Sequence, residues 1–142
     1  MNTAKDISAK TDTPSLQDEH GLSLLGVYEL TKPRLSLLSV FTAALGFLVH
    51  DPLRSDYSLF LCLALGTALS AAGAAALNQW IERKEDALMA RTANRPIPAN
   101  LVSPEFALAF GMVLSALGLS VLWLGTNPWA TFLTLLTLLI YL

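Results

Sequence analysis

The chain has 142 residues, 54% of them hydrophobic and only 14% charged, with a formal net charge of −2 and a mean hydropathy of +0.53. A soluble domain is typically about a quarter charged, so the composition points to an integral membrane protein, and the slight acidity leaves no electrostatic footprint for nucleic acid. The single cysteine, Cys62, lies in an apolar run and excludes an intrachain disulfide.

The chain opens on a polar stretch. Lys5, Asp6, Lys10, Asp12, Asp18 and Glu19 crowd into it, and Met1 to Gly21 is rich in Ser, Thr and Asp without an arginine. A secretory signal needs a basic start followed by an apolar core, and a transit peptide is Arg-rich and poor in acids. Residues 1–27 therefore read as a disordered cytoplasmic tail.

Four apolar segments follow: Leu35 to Val49, Ser58 to Ile81, Phe106 to Gly125 and Trp129 to Leu142. A spanning helix needs about 20 apolar residues. The second and third segments meet this. The first does so when Lys32 and Arg34 snorkel and the helix starts a turn earlier. The fourth stops with no charge, cap or stop signal, which is read as the mark of a piece of something longer. Basic residues number four before the first span (Lys5, Lys10, Lys32, Arg34), one in the next link (Arg54), four in the next (Arg83, Lys84, Arg91, Arg95) and none in the last. That alternation places the N-terminus and the Glu82–Glu105 loop on the cytoplasmic side. Within the loop, Ser103-Pro104-Glu105 restarts a helix with Ser at the N-cap, Pro at N1 and an acid in the first turn.

The second span stands apart. From Gly66 to Ala76 it is built of Gly, Ala, Ser and Thr with a single leucine. Small residues let helix backbones approach closely in lipid, so this helix is expected inside the bundle, with the Leu-rich third and fourth spans facing lipid.

The inner end of that helix reads Asn78-Gln-Trp-Ile-Glu82-Arg-Lys-Glu-Asp86. Asn78, Glu82 and Asp86 are spaced four apart; each step turns a helix by about 40°, so the three share one face. Three oxygen-bearing side chains suit a hard divalent cation, and Mg2+ takes one or two carboxylates and completes its shell with water and substrate phosphate. Lys84, Arg91 and Arg95, with Lys32 and Arg34 at the same membrane face, supply the charge to bind a diphosphate. The plainer alternative is a solvated mixed-charge run that only sets topology. Asn78 weighs against it, because it lies on the helix expected to be buried, where polar groups are functional by default. Glu85 is off the shared face and fits the plainer reading. His20 and His50 are isolated bystanders, and Ser70 and Thr67 are packing residues with no general base in reach. Trp80, Trp123 and Trp129 fit interfacial belts, with a pocket wall the second option for Trp80.

Asn78-x-x-x-Glu82-x-x-x-Asp86 resembles the first acidic motif of the UbiA superfamily of intramembrane prenyltransferases. Leu30-Thr-Lys-Pro-Arg34, Asn78-Gln-Trp-Ile-Glu82, Asp86-Ala-Leu-Met89 and Arg91-Thr-Ala-Asn-Arg95-Pro are similar to its protohaem IX farnesyltransferase branch, the haem O synthases, over roughly Tyr28 to Leu142. The family pattern has Asp where Glu82 stands; Glu keeps the charge and adds a methylene. The resemblance implies an all-α polytopic bundle of nine transmembrane helices, about four of them here, so that 28–142 is the N-terminal part of a truncated prenyltransferase domain in the cell inner membrane. It further implies a second acidic motif across a central cavity. It implies Mg2+ as cofactor, held by Asn78, Glu82 and Asp86 as the catalytic set. It implies farnesyl diphosphate and haem B as substrates, haem O as product, and haem A synthase as a candidate downstream partner. Lys32, Arg34, Lys84, Arg91 and Arg95 would bind diphosphate or haem propionates, between which the residues do not choose. The fragment alone is expected to be inactive. The competing readings are a UbiA-type enzyme with an aromatic or chlorin acceptor and a non-catalytic membrane subunit. A CDP-alcohol phosphotransferase, whose motif begins Asp-Gly, has no counterpart around Asn78.

Overall fold

The computed structural model describes residues 23–50 and 56–142, whose regular structure is all helical, with no strand among them. Six helices follow in order: α1 Leu24–Leu30, α2 Pro33–His50, α3 Tyr57–Ile81, α4 Arg83–Leu88, α5 Pro104–Gly125 and α6 Pro128–Tyr141. Helices α2, α3 and α5 are long and apolar enough to cross a membrane, while α6 is a shorter apolar helix of 14 residues. The starts of α5 and α6 have a local cause. The Ser103 hydroxyl accepts a hydrogen bond from the Phe106 amide at 3.2 Å with Pro104 at N1, the cap expected from sequence. Asn127 caps α6 in the same way, accepting from the Ala130 amide at 2.8 Å. Helix α2 begins at Pro33, so the first span includes Arg34 and starts two residues before its apolar run, about half a turn, while Lys32 stays outside it.

Two expectations change. The tail boundary at residue 27 falls inside a helix. Residues 1–22, with Lys5, Lys10 and His20, lie outside the described residues, as does Arg54. Ser23 already caps α1, however, and Gly26 is buried. A Cβ on Gly26 would stand 2.9 Å from Val102 Cγ2, and the Ser23 amide bonds Leu101 O at 3.4 Å. Helix α1 is thus held by a distant loop, a stabilisation that no local pattern encodes.

The second change concerns the third span. Helix α5 keeps an outward apolar face, with Met112, Val113, Leu117 and Leu124 exposed as expected, but its other face forms the most extensive helix pair of the fold with α3. The two run antiparallel, and each carries the same series at the same spacing, Gly66-Ser70-Gly73-Leu77 and Gly111-Ser115-Gly118-Leu122, all eight residues buried. The series match about a local two-fold. A Cβ on Gly66 would meet the Leu122 side chain at 2.6 Å and one on Gly111 the Leu77 side chain at 2.8 Å. Cβ atoms on Gly73 and Gly118 would meet the backbones of Ser115 and Ser70 at 2.7 and 2.6 Å. Only glycine permits that approach, and dispersion between the close backbones then holds the pair.

Helix α2 lies against α3 with no fully buried residue, aided by Phe47 against Phe60 at a ring separation of 5.5 Å, and α6 returns beside α3 and α5. A cavity of about 560 Å3 lies between α2, α3 and α6; Leu63, Thr67, Ser70, Ala71, Ala74 and Ala75 are its α3 wall.

Candidate functional site

Helix α3 ends at Ile81, yet its hydrogen-bond ladder runs on. The Glu82 amide bonds Asn78 O and the Asp86 amide bonds Glu82 O, both at 2.9 Å. The i, i+4 series therefore keeps its face across the α3–α4 junction. Asn78 Nδ2 donates to Glu82 Oε2 at 3.0 Å. Arg95 Nη1 donates to that same oxygen at 3.1 Å and to Asp86 Oδ2 at 2.5 Å. The polar trio and one arginine form a single connected group.

Arg95 comes from the loop, and the loop is folded. Ile97 and Val102 are buried with Leu30, Ala76 and Ala107, while Val27, Trp80, Phe106 and Phe110 pack around them. Pro96 O accepts the amides of Leu101 at 2.9 Å and Val102 at 3.2 Å. Asn100 makes the turn at φ 57°, a left-handed conformation that Asn tolerates better than most residues. The Arg95 amide bonds Thr92 O at 2.9 Å, and the buried Thr92 hydroxyl donates to Asp86 O at 3.0 Å. The backbone on both sides of Arg95 is thereby fixed.

The fourth wall is the α1–α2 corner. Gln79, 1% exposed, donates from Nε2 to Leu30 O at 2.9 Å and reaches Glu29 O at 3.5 Å. It satisfies the carbonyls at the end of α1 and fastens the corner to the helix carrying Asn78. Beyond it, Lys32 takes φ 43°, and its carbonyl accepts the amides of Leu35 and Ser36 at 2.9 and 3.2 Å, starting α2. Lys32 lies within the field of Arg95, Glu82 and Asp86. Desolvation, then the Arg95 charge, pull its pKa below the ordinary lysine value, with the two carboxylates opposing. For Arg95, desolvation works against the charge, but the hydrogen bonds and charges of Asp86 and Glu82 outweigh it and raise the pKa.

Exposure is graded across the site: the Asp86 side chain is 5% exposed, that of Arg95 27% and that of Glu82 47%. The group is anchored from beneath and open above. Of the basic residues singled out by sequence, the structure brings Lys32 and Arg95 to the trio. Arg34, Lys84 and Arg91 are exposed and form no ion pair among the described residues. Trp80 departs from the belt reading. It is half-buried against the loop core, with the Arg83 guanidinium 4.5 Å above its ring. Trp123 and Trp129 are exposed at the opposite end, beside the α5–α6 turn. Gln79 and Thr92 were not singled out from sequence. For Gln79 the signal existed, since it is a polar residue on the small-residue helix.

The donor set suits Mg2+. Two carboxylates and an amide supply hard oxygens, and oxygens of Glu82 and Asp86 already converge on one cationic nitrogen. No cluster of three or more His, Cys, Asp or Glu occurs among the described residues, so the rest of the shell would be water and phosphate, as this ion prefers.

A family model for the UbiA prenyltransferase family matches residues 39–142, and the chain belongs to that family. With its apolar helices, it is a multi-pass membrane protein. Protoheme IX farnesyltransferase from Opitutus terrae is 48% identical over 114 residues, covering 80% of this chain and 38% of the relative. The protein of that name from Ectopseudomonas mendocina is 42% identical over 113 residues, 80% of this chain and 38% of the relative. The one from Methylorubrum extorquens is 36% identical over 138 residues, 97% of this chain and 43% of the relative. The chain thus spans about two fifths of the length of these relatives. No solved structure matches it.

Proposed function

We propose that this chain carries the metal–diphosphate half of a protohaem IX farnesyltransferase site, which joins the farnesyl group of farnesyl diphosphate to the vinyl group of haem B, with diphosphate leaving and water then supplying the hydroxyl, to give haem O. The observation that supports this is a shared helix face. Ala74, Ala71, Thr67 and Leu63, which wall the cavity, lie 4, 7, 11 and 15 residues below Asn78, the spacing of one helix face. The polar trio thus continues, past the cavity, the helix face that walls it. An isoprenoid diphosphate has that polarity: a long apolar chain with a highly charged head.

In this reading Asn78, Glu82 and Asp86 hold Mg2+, which when bound offsets the charge of the departing diphosphate. Arg95 and Lys32 add fixed positive charge where the leaving group accumulates negative charge, in a partly desolvated place where electrostatics are strong. The α3 wall, with no ionisable side chain, keeps water from the allylic cation until the acceptor reaches it. Names of relatives with 36–48% identity support the choice of haem B as acceptor. The alternation of basic residues supports a cytoplasmic N-terminus; the protein would lie in the inner membrane and hand its haem O product to a haem A synthase.

The test is Mg2+-dependent binding of farnesyl diphosphate to membranes holding the protein. Asp86→Asn is expected to weaken it at least ~10-fold, the scale of one lost metal contact. Unchanged binding would sink the site assignment. Supplying haem B to active membranes of the whole protein and finding no farnesylated haem by mass would refute the acceptor.

A further inference from the structure

Arg95 uses one nitrogen for two carboxylates. Its Nη1 lies 3.1 Å from Glu82 Oε2 and 2.5 Å from Asp86 Oδ2. A magnesium ion held by these two carboxylates would compete with the guanidinium for the same oxygens. Two cations sharing one pair of oxygens also repel each other strongly. The bridge and the metal therefore compete for the two carboxylates.

We infer that Arg95 is an exchanging counter-cation: it pairs Glu82 with Asp86 before the metal arrives, is displaced by the metal, and then takes the diphosphate as its new partner. This rests on the metal–diphosphate reading above and adds an order of events to it. The geometry suits a side-chain swing without backbone motion. The Arg95 amide is tied to Thr92 O, its carbonyl accepts the Ala99 amide at 2.9 Å, and the next residue, Pro96, is buried. The side chain lies partly in solvent at the open rim. Once the carboxylates are taken, the Lys32 charge, which already bears on Arg95, pushes the guanidinium away and towards any incoming anion. The consequence is coupling. Metal alone must break the bridge and binds weakly; metal arriving with diphosphate gives Arg95 a bidentate phosphate partner and binds well. The device keeps two carboxylates together in the free protein and discourages metal capture without substrate.

Two measurements on the 142-residue chain in lipid nanodiscs test this, neither reading activity. In the first, Mn2+ is titrated by electron paramagnetic resonance without phosphate. Arg95→Gln is expected to bind Mn2+ at least ~5-fold more tightly than the unsubstituted chain, the lower end of usual coupling, and inorganic pyrophosphate to tighten Mn2+ binding more in the unsubstituted chain. The second needs no substitution. Phenylglyoxal modification of Arg95, followed by mass spectrometry, is expected to speed up with Mg2+ alone and to slow with Mg2+ plus pyrophosphate. If Mn2+ binds but Arg95→Gln binds it equally or more weakly, or if Mg2+ alone fails to speed Arg95 modification, the cation uses other oxygens and the exchange is wrong, though the metal site stands. If no Mn2+ binding sensitive to Asp86→Asn is found, the metal site itself fails and the exchange falls with it.

Discussion

Gln79 separates two substitutions that look equally mild. Its Nε2 donates to the Leu30 carbonyl at 2.9 Å and lies 3.5 Å from that of Glu29, while its Oε1 is buried without a partner. Gln79→Leu removes the donor and the orphaned acceptor together. The loss is one neutral hydrogen bond and leaves the buried Leu30 carbonyl unpaired, together about 1–3 kcal/mol; removing the orphaned Oε1 offsets part of this and leaves a net cost of about 1 kcal/mol. Gln79→Glu keeps the shape but turns an oxygen towards two carbonyl oxygens and buries a charge. That costs several kcal/mol unless the acid takes up a proton. The bond ties α1 to α3, so the effect appears as local opening. Amide hydrogen exchange of Leu24–Leu30 in nanodiscs is expected to accelerate about 5-fold in the Leu variant, the factor for 1 kcal/mol, and to lose protection in the Glu variant. Acylation of Lys32, at the corner Gln79 fastens, should rise in the same order. A Leu variant that leaves α1 exchange and Lys32 acylation unchanged, or a Glu variant no worse than Leu, would refute the assigned hydrogen bond.

Gly73→Ala places a methyl 2.7 Å from the Ser115 amide nitrogen and 2.8 Å from Gly111 O; neither backbone atom can rotate aside, so the helices must separate, at about 1–3 kcal/mol. Gly46→Ala on α2, where a Cβ meets nothing within 4 Å, is the control and is expected to be neutral or slightly stabilising; steric trapping in bicelles measures both, and equal destabilisation would contradict the close pair. Lys32 has a lowered pKa in the folded chain, so the folded state disfavours its charged form: the stability linked to neutral Lys32 is present above the unfolded lysine value and is lost as pH falls through the lowered folded value. Lys32→Met is therefore expected to raise, not reduce, the melting temperature at pH 7 and to flatten its rise towards pH 10.5, measured by thermal unfolding in detergent across that range.

The elements that could be read in advance owe their form to local chemistry. Apolar length marks α2, α3 and α5, Ser103-Pro104-Glu105 marks the start of α5, and four-residue spacing puts Asn78, Glu82 and Asp86 on one face even though α3 formally ends between them. Helix α1 was missed because its seven residues are held by Leu101 and Val102, far along the chain. The third span was expected to face lipid because leucine content averages over the helix, whereas the contact with α3 is made by one stripe, Gly111 to Leu122. The repeated Gly-Ser-Gly-Leu spacing is visible in the sequence, but its meaning depends on an antiparallel pairing that the sequence does not state.

Composition and spacing alone therefore determined a membrane bundle with a polar trio at one end of a small-residue helix, because hydropathy and helical period are properties of neighbouring residues. Tertiary structure decided which cations join the trio. Five basic residues were equal candidates by position; Arg95 pairs with both carboxylates and Lys32 comes within their field because the Pro96–Val102 turn and the Gln79 tie bring their backbones there. Those ties are single long-range hydrogen bonds and a small buried core, whose partners are set only when distant segments meet.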